Sequence, residues 1–250
     1  MSRPSPLEPP RPPRLLALDT ATERIAVAVV DGDRQWAAEE AGGPLASQRL
    51  LPLVLLLLER AGLALGGLDA IAFGRGPGAF TGLRTACSVA QGLAFGATLP
   101  VLAVDSLALV AEDALAHHGA TDLWVAMDAR MHEAYAAAYR RDGDDWQVLR
   151  APALWPLAAL AEAWRQQPPT CVAGSALDAF GPRLPTGAAL RVTAPHDRAA
   201  ALARLARAAW RRGEAVDAAL ALPLYLRDKV ALTTAERDAA KAAAAGAEAA

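Results

Sequence analysis

Cysteine is nearly absent: the 250 residues hold two, Cys87 and Cys171. Neither lies at a metal-ligand spacing or among paired half-cystines. A disulfide framework is therefore excluded, and both thiols are expected in the core of a cytoplasmic protein. Histidine is scarce too. His117 and His118 are adjacent at a helix end and are expected to point apart, while His132 and His196 look isolated. No Ser-His-Asp or Cys-His pair has a supporting context. An excess of either charge is also missing, since the formal net charge is -2 and the pI about 6.1. Phosphate contacts need a basic surface, so by itself the chain is no strong nucleic-acid binder. The longest apolar run falls well short of the ~20 residues that cross a bilayer.

What the sequence does have is concentrated in two stretches. Asp69 to Gly96 reads as a short buried strand, a glycine-rich turn from Gly74 to Gly78, and a helix from Phe80 that stops at Gly96. At helical spacing Gly82, Thr85, Val89, Gly92 and Gly96 share one seam, and Leu83, Ala86, Ala90, Leu93 and Ala97 share the next. Glycine inside a helix costs roughly 0.5–1 kcal/mol relative to alanine, which implies that a second backbone approaches closely. The second stretch is Ala46 to Leu63, where eight of the nine residues from Leu50 to Leu58 are aliphatic. A helix apolar on every side is expected to be buried on every side. Together the two helices carry more apolar surface than one sheet can cover, which marks a partner site.

The remainder reads as a mixed sheet flanked by helices, followed by a weak echo of itself. Leu15–Leu18, Ile25–Val30 and Gln35–Glu39 are strand-like around the turns at 19–23 and 31–33. A second unit opens at Thr121, with strand-like runs at 123–127, 133–139 and 146–149, then a helix from Pro156. The expected organisation is an arm over 1–13 with six prolines, a first half over 14–119, a second half over 120–230, and an alanine-rich flexible tail over 231–250. The arm has no apolar core of the signal-peptide kind. Asp197 is expected to cap a late helix whose Arg204, Arg207 and Arg211 form a solvated face.

An aspartate at a hairpin turn in each of two related halves is the layout of the α/β actin-like ATPase (ribonuclease H-like) fold. The segments LALDTATERIAVAVV, SQRLLPLVLLLLERAGL, GRGPGAFTGLRTACSVAQGLAFG, MDARMHEAY and PLYLRDKVA resemble the TsaB family in order and spacing across most of the chain. Members of that family are non-catalytic partners of TsaD. That subunit transfers threonylcarbamoyl to N6 of adenosine 37 in tRNAs reading codons that begin with A. TsaE, an ATPase, joins the pair, and TsaC supplies threonylcarbamoyl-adenylate.

The resemblance implies that the two apolar helices form the dimer interface, with TsaD or with a second copy of the chain, and that tRNA is met only through the complex. Leu50, Val54, Leu56, Leu57, Gly82, Thr85, Val89 and Gly92 are the expected interface residues. It also implies no catalytic residues and no metal here. Where the catalytic relative carries two histidines one helical turn apart, this chain has Ser106 and Val110. Asp19, Thr20 and Thr22 occupy the phosphate-loop position of actin-like folds, where they would face phosphate and a hydrated cation. Alternatively Asp19 and Thr20 close the hairpin through side-chain to backbone bonds. No cofactor is expected beyond weak ATP binding. Asp128, Arg130, Glu133 and Tyr135 match the family's DAR segment near the cleft. The competing function is a free-standing actin-like ATP-dependent phosphotransferase, against which the thin adenosine loop at 174–182 counts. A metallopeptidase finds no ligand set.

Overall fold

Period-two alternation along the strands sets the architecture. The computed structural model describes residues 11–227. In it β1 (Arg14–Asp19), β2 (Arg24–Asp31) and β3 (Arg34–Ala41) form an antiparallel meander. After α1 (Ala46–Ala61) come β4 (Ala70–Gly76), α2 (Phe80–Ala97), β5 (Val101–Asp105) and α3 (Ser106–His118), giving a sheet ordered β3-β2-β1-β4-β5 with β4 and β5 parallel to β1. The second sheet repeats this plan. Its meander is β6 (Asp122–Asp128), β7 (Glu133–Asp142) and β8 (Asp145–Pro156). Then α4 (Leu157–Gln166), β9 (Cys171–Ala173), α5 (Ala176–Phe180) and β10 (Leu190–Val192) give the order β10-β9-β6-β7-β8, and α6 (Arg198–Arg211) follows.

Alternate residues of each central strand feed opposite layers. Leu16, Leu18, Ile25, Val27, Val29, Ile71 and Phe73 pack beneath α1 and α2. Their neighbours Leu15, Ala17, Ala28, Val30, Ala70 and Ala72 pack beneath α6. In the second sheet Leu123, Val125, Met127 and Tyr139 face α3, whereas Ala126, Ala134 and Ala136 face α4 and α5. The molecule is thus five layers deep, with α3 and α6 in contact between the two sheets.

Two expectations need correction. The late helix, placed by sequence in the second half, packs across β1, β2, β3 and β5 of the first sheet, and Val216 beyond it bridges back to Val101. The reason is that the first sheet has two apolar faces and α1 and α2 cover only one of them. Chain order therefore misplaces α6. The segment SLALVAEDALAHH, not the leucine-rich stretch, is the enclosed helix: every residue of α3 from Ser106 to Ala114 is buried. Helix α1 lies on the outside and buries only Ala46, Leu50, Leu53, Val54, Leu57 and Leu58. The proline-rich arm is described only from Arg11, which pairs with Asp69 at 2.6 Å, and the tail over 231–250 lies outside the described residues.

Candidate partner interface and the interlobe cleft

Helix α1 has two apolar faces, and only one is spent inside the protomer. Leu50, Val54 and Leu57, expected to meet a partner, are at most 1% exposed beneath the sheet. The outward face is Leu51, Leu55 and Leu56, of which Leu55 is 57% exposed. Helix α2 lies beside α1 and presents Ser88, Gly92, Phe95 and Gly96, with Phe95 59% exposed. Of the expected interface residues, Leu56 and Gly92 lie on this open surface, and Thr85 and Val89 are half-buried at its edge. Leu51, Leu55 and Phe95 belong to it and were not singled out by sequence. The signal was present, since Leu51 and Leu55 sit at i, i+4 and Phe95 lies three residues after Gly92, but the solid leucine run hid which face turns inward.

The glycine seam divides the same way. A Cβ at Gly82 would overlap the carbonyl oxygen of Thr20, and one at Gly74 would overlap the Asp19 carboxylate. These glycines admit the β1–β2 turn of the same chain, so the close backbone partner inferred for Gly82 is internal. Among the described residues nothing lies within 4 Å of a Cβ placed at Gly92.

The turn itself is closed from within. Asp19 is fully buried. Its Oδ1 accepts from Ala21 N–H at 3.1 Å and from Arg198 Nη2 at 3.0 Å, and its Oδ2 accepts from Ser106 Oγ at 2.7 Å. Thr20 donates its hydroxyl to Gly82 O at 2.6 Å. Thr22 accepts from the Arg24 N–H at 3.2 Å, and alone of the three it lines the cleft between the halves. That cleft measures about 620 Å³. Its walls come from the β1–β2 turn, the start of α2, the β6–β7 hairpin and residues 224–227. Asp19 thus closes its own turn at the Ala21 N–H and spends the rest of its carboxylate on Arg198 and Ser106, while Thr20 ties the turn to α2.

The DAR segment makes that tight hairpin. Asp128 Oδ1 accepts from Arg130 N–H at 2.8 Å, Arg130, Met131 and His132 all have positive φ, and Glu133 pairs with Arg227 at 2.6 Å. At the start of α3, Tyr139 of β7 donates to Asp105 at 2.6 Å. Burial pushes the Asp105 carboxyl above its usual range despite that bond, and burial together with Asp105 raises the Tyr139 phenol well above its own. The arginines of α6 are engaged: Arg204 with Glu112, Arg207 with Gly32 O and Gln35, Arg211 with Asp144.

Residues 44–178 match the family described as "TsaD: tRNA N6-adenosine threonylcarbamoyltransferase". The chain is 45% identical over 129 residues to the tRNA threonylcarbamoyladenosine biosynthesis protein TsaB of Escherichia coli, covering 52% of this chain and 56% of that one. The protein of the same name from Haemophilus influenzae is 43% identical over 51% of this chain and 54% of its own length. The alignments thus span about half the length of these curated relatives. YeaZ from Pseudomonas aeruginosa has a solved structure that matches with a TM-score of 0.77 at 42% identity, covering 86% of this chain and 100% of that one. The chain belongs to the TsaB family. A further Pseudomonas aeruginosa structure, described as an uncharacterized protein with similarity to peptidase YEAZ, gives a TM-score of 0.78 at 43% identity over the same share.

With TsaB-family membership comes the actin-like, ribonuclease H-like fold class read from the sequence. The metal of the catalytic relative does not fit this member. Ser106 is buried, with its hydroxyl spent on Asp19 and on Gly76 N–H, and Val110 offers no donor atom. Among the described residues no helix is long and apolar enough to cross a membrane. The reading of two histidines as isolated is wrong: His132 Nδ1 lies 3.0 Å from Arg183 Nη1. His196 is not isolated: its ring stacks on His117 at 4.5 Å and lies 5.0 Å from His118, because the loop entering α6 folds onto the end of α3.

Proposed function

We propose that this protein is an accessory, dimerising and non-catalytic subunit that supports TsaD in N6-threonylcarbamoylation of adenosine 37 of tRNAs reading codons starting with A. The observation that carries the reading is the open apolar face of α1 and α2. Its leucines and Phe95 stand exposed beside Gly92 and Gly96, a combination that suits close helix-on-helix docking. The relatives' names supply the pathway. TsaD takes this face, or a second copy of the chain takes it in the resting state. TsaE joins the assembled pair, and tRNA is bound by the complex. The sealed Asp19 and the Ser106/Val110 pair support a role without chemistry of its own, and they leave the isolated chain with at most weak affinity for ATP.

The test is co-purification with TsaD from the same cell. Leu55→Asp and Leu56→Asp should abolish the complex while leaving the circular dichroism of the free protein unchanged. Depleting the protein should lower threonylcarbamoyladenosine in bulk tRNA, read by nucleoside mass spectrometry, and only the wild type should restore it. Survival of the complex in both variants would remove the interface. Micromolar ATP affinity with turnover on a small acceptor would favour the phosphotransferase instead.

A further inference from the structure

At the C-terminal end of α3, on the side of the first sheet away from α1 and α2, one buried carboxylate gathers imidazoles. The Asp113 side chain is 1% exposed, and among the described residues no lysine or arginine pairs with it. Its two oxygens accept the backbone N–H of His196 at 2.9 Å and of Asp197 at 2.8 Å. A carboxylate has about four acceptor positions, so half remain free. His117, one helical turn on, hydrogen-bonds Nδ1 to the Asp113 main-chain carbonyl at 3.0 Å, a contact an ion would replace, and that nitrogen lies 3.3 Å from one carboxylate oxygen; His196 puts Nδ1 3.7 Å from the other. The two rings are stacked with 16° between their planes, and His118 closes the third side. One candidate ligand atom from each of Asp113, His117 and His196 lies within 4.8 Å of the others.

We propose that Asp113, His117 and His196 form a divalent transition-metal site. The chemistry of the donors selects the ion. Two imidazole nitrogens and one carboxylate oxygen suit Zn²⁺ or Ni²⁺, whereas Mg²⁺ and Ca²⁺ prefer all-oxygen shells. Ligands at about 2.0–2.2 Å around a tetrahedral ion require the present cluster to contract. The two histidines are part-exposed, at 35% and 49%, so their rings are free to turn inward and an ion has a path from solvent. Asp113 is already fixed by the two backbone N–H groups, which is the orientation a ligating carboxylate needs. His118 or water takes the fourth position.

This site is distinct from the histidine pair of the catalytic relative. That pair corresponds to Ser106 and Val110 earlier on the same helix, roughly 10 Å and roughly 5 Å before Asp113 at about 1.5 Å per residue, and neither is among the ligands. A bound ion would clamp α3 to the entry of α6, bracing the layer that both sheets share. It is independent of the partner reading, because the ligands lie on the opposite side of the first sheet from the open apolar face.

Calorimetric titration of the full-length, untagged protein with ZnCl₂, and separately with NiCl₂, tests this. One equivalent should bind with micromolar or tighter affinity. His117→Gln and His196→Gln should each weaken binding at least tenfold, and His132→Gln should not. Zn²⁺ should raise the melting temperature of the wild type and of His132→Gln, but not of the double variant. Tetrahedral Co²⁺ absorption that disappears in the double variant is a second readout. No saturable binding to the wild type, or binding that both histidine variants retain, would overturn the site.

Discussion

Helices α1 and α3 invert what their compositions suggest. The first is leucine-rich through its middle, from Leu50 to Leu58, and leaves a whole face open, while the second carries Glu112 and Asp113 and is enclosed through Ala114. Position in the layer stack decides this. An outer helix touches one sheet and spends one stripe, whereas an inner helix is covered from both sides whatever its residues. Charges caught in the inner layer must then be answered locally. Glu112 takes Arg204, Arg141 and Trp146, and Asp113 takes two backbone N–H groups and two imidazoles. In the outer layer nothing among the described residues covers the exposed leucines, and that is the physical case for a partner.

The sharpest way to break the comparison is to unbalance the inner layer. Arg198, 2% exposed, is the only guanidinium bonded to the fully buried Asp19 among the described residues. Arg198→Ala should cost about 3–5 kcal/mol, because it strands a buried charge. Arg198→Met with Asp19→Asn should recover part of that loss. Urea unfolding monitored by circular dichroism measures both. A loss below about 1 kcal/mol would mean that the inner layer admits water to Asp19.

Next in size is a contrast within α1. Leu57→Ala removes a buried side chain and should cost about 2–5 kcal/mol. Leu55→Ala, two residues earlier and outward, should change the stability of the free protein by no more than about 0.5 kcal/mol. Its effect should instead appear as weaker association in sedimentation against the partner. Equal stability losses in the two variants would erase the distinction between faces.

How far the sequence could be read follows from the same two layers. The strands and helices were legible because the short apolar runs of β1, β2 and β4, bounded by turns, and the capping Asp197 are local signals. The layer each helix would join was not legible, since burial on two sides is set by elements distant in sequence: α6 covers a sheet formed well over a hundred residues earlier. Of the three leucines named for the expected interface, Leu50 and Leu57 are core and only Leu56 faces outward. In a continuous leucine run the periodicity that separates inward from outward vanishes. The His117–His196 contact was invisible for a related reason, as a loop brings together residues that no spacing rule connects.

Smaller still is the glycine contrast in α2. Gly92→Ala meets open space and removes a helix-interior glycine, so it should stabilise the free protein by roughly 0.5–1 kcal/mol. Gly82→Ala meets the Thr20 carbonyl and should destabilise by about 1–3 kcal/mol. If Gly92→Ala also weakens association, the open seam is where a second helix approaches; thermal melts and sedimentation separate the two effects.

The smallest effect is a slope with pH. Asp105 caps α3 by accepting from Leu107 N–H, and its carboxyl is raised by burial. The folded state therefore holds that proton more firmly than the unfolded chain does. For such a group the penalty of the buried charge is fully present above the folded pKa. It is relieved as pH falls through that value toward the unfolded one, so this group's contribution to stability rises on acidification. Asp105→Asn keeps a capping acceptor and carries no charge. Its stability relative to wild type should be most favourable at neutral pH and should decline as the pH is lowered through the carboxylate range, measured by urea unfolding at several pH values. A difference that grows on acidification would mean that Tyr139 and the Leu107 N–H stabilise the ionised carboxylate more than the inner layer penalises it. The contrast between enclosed and open helices would then lose its electrostatic half.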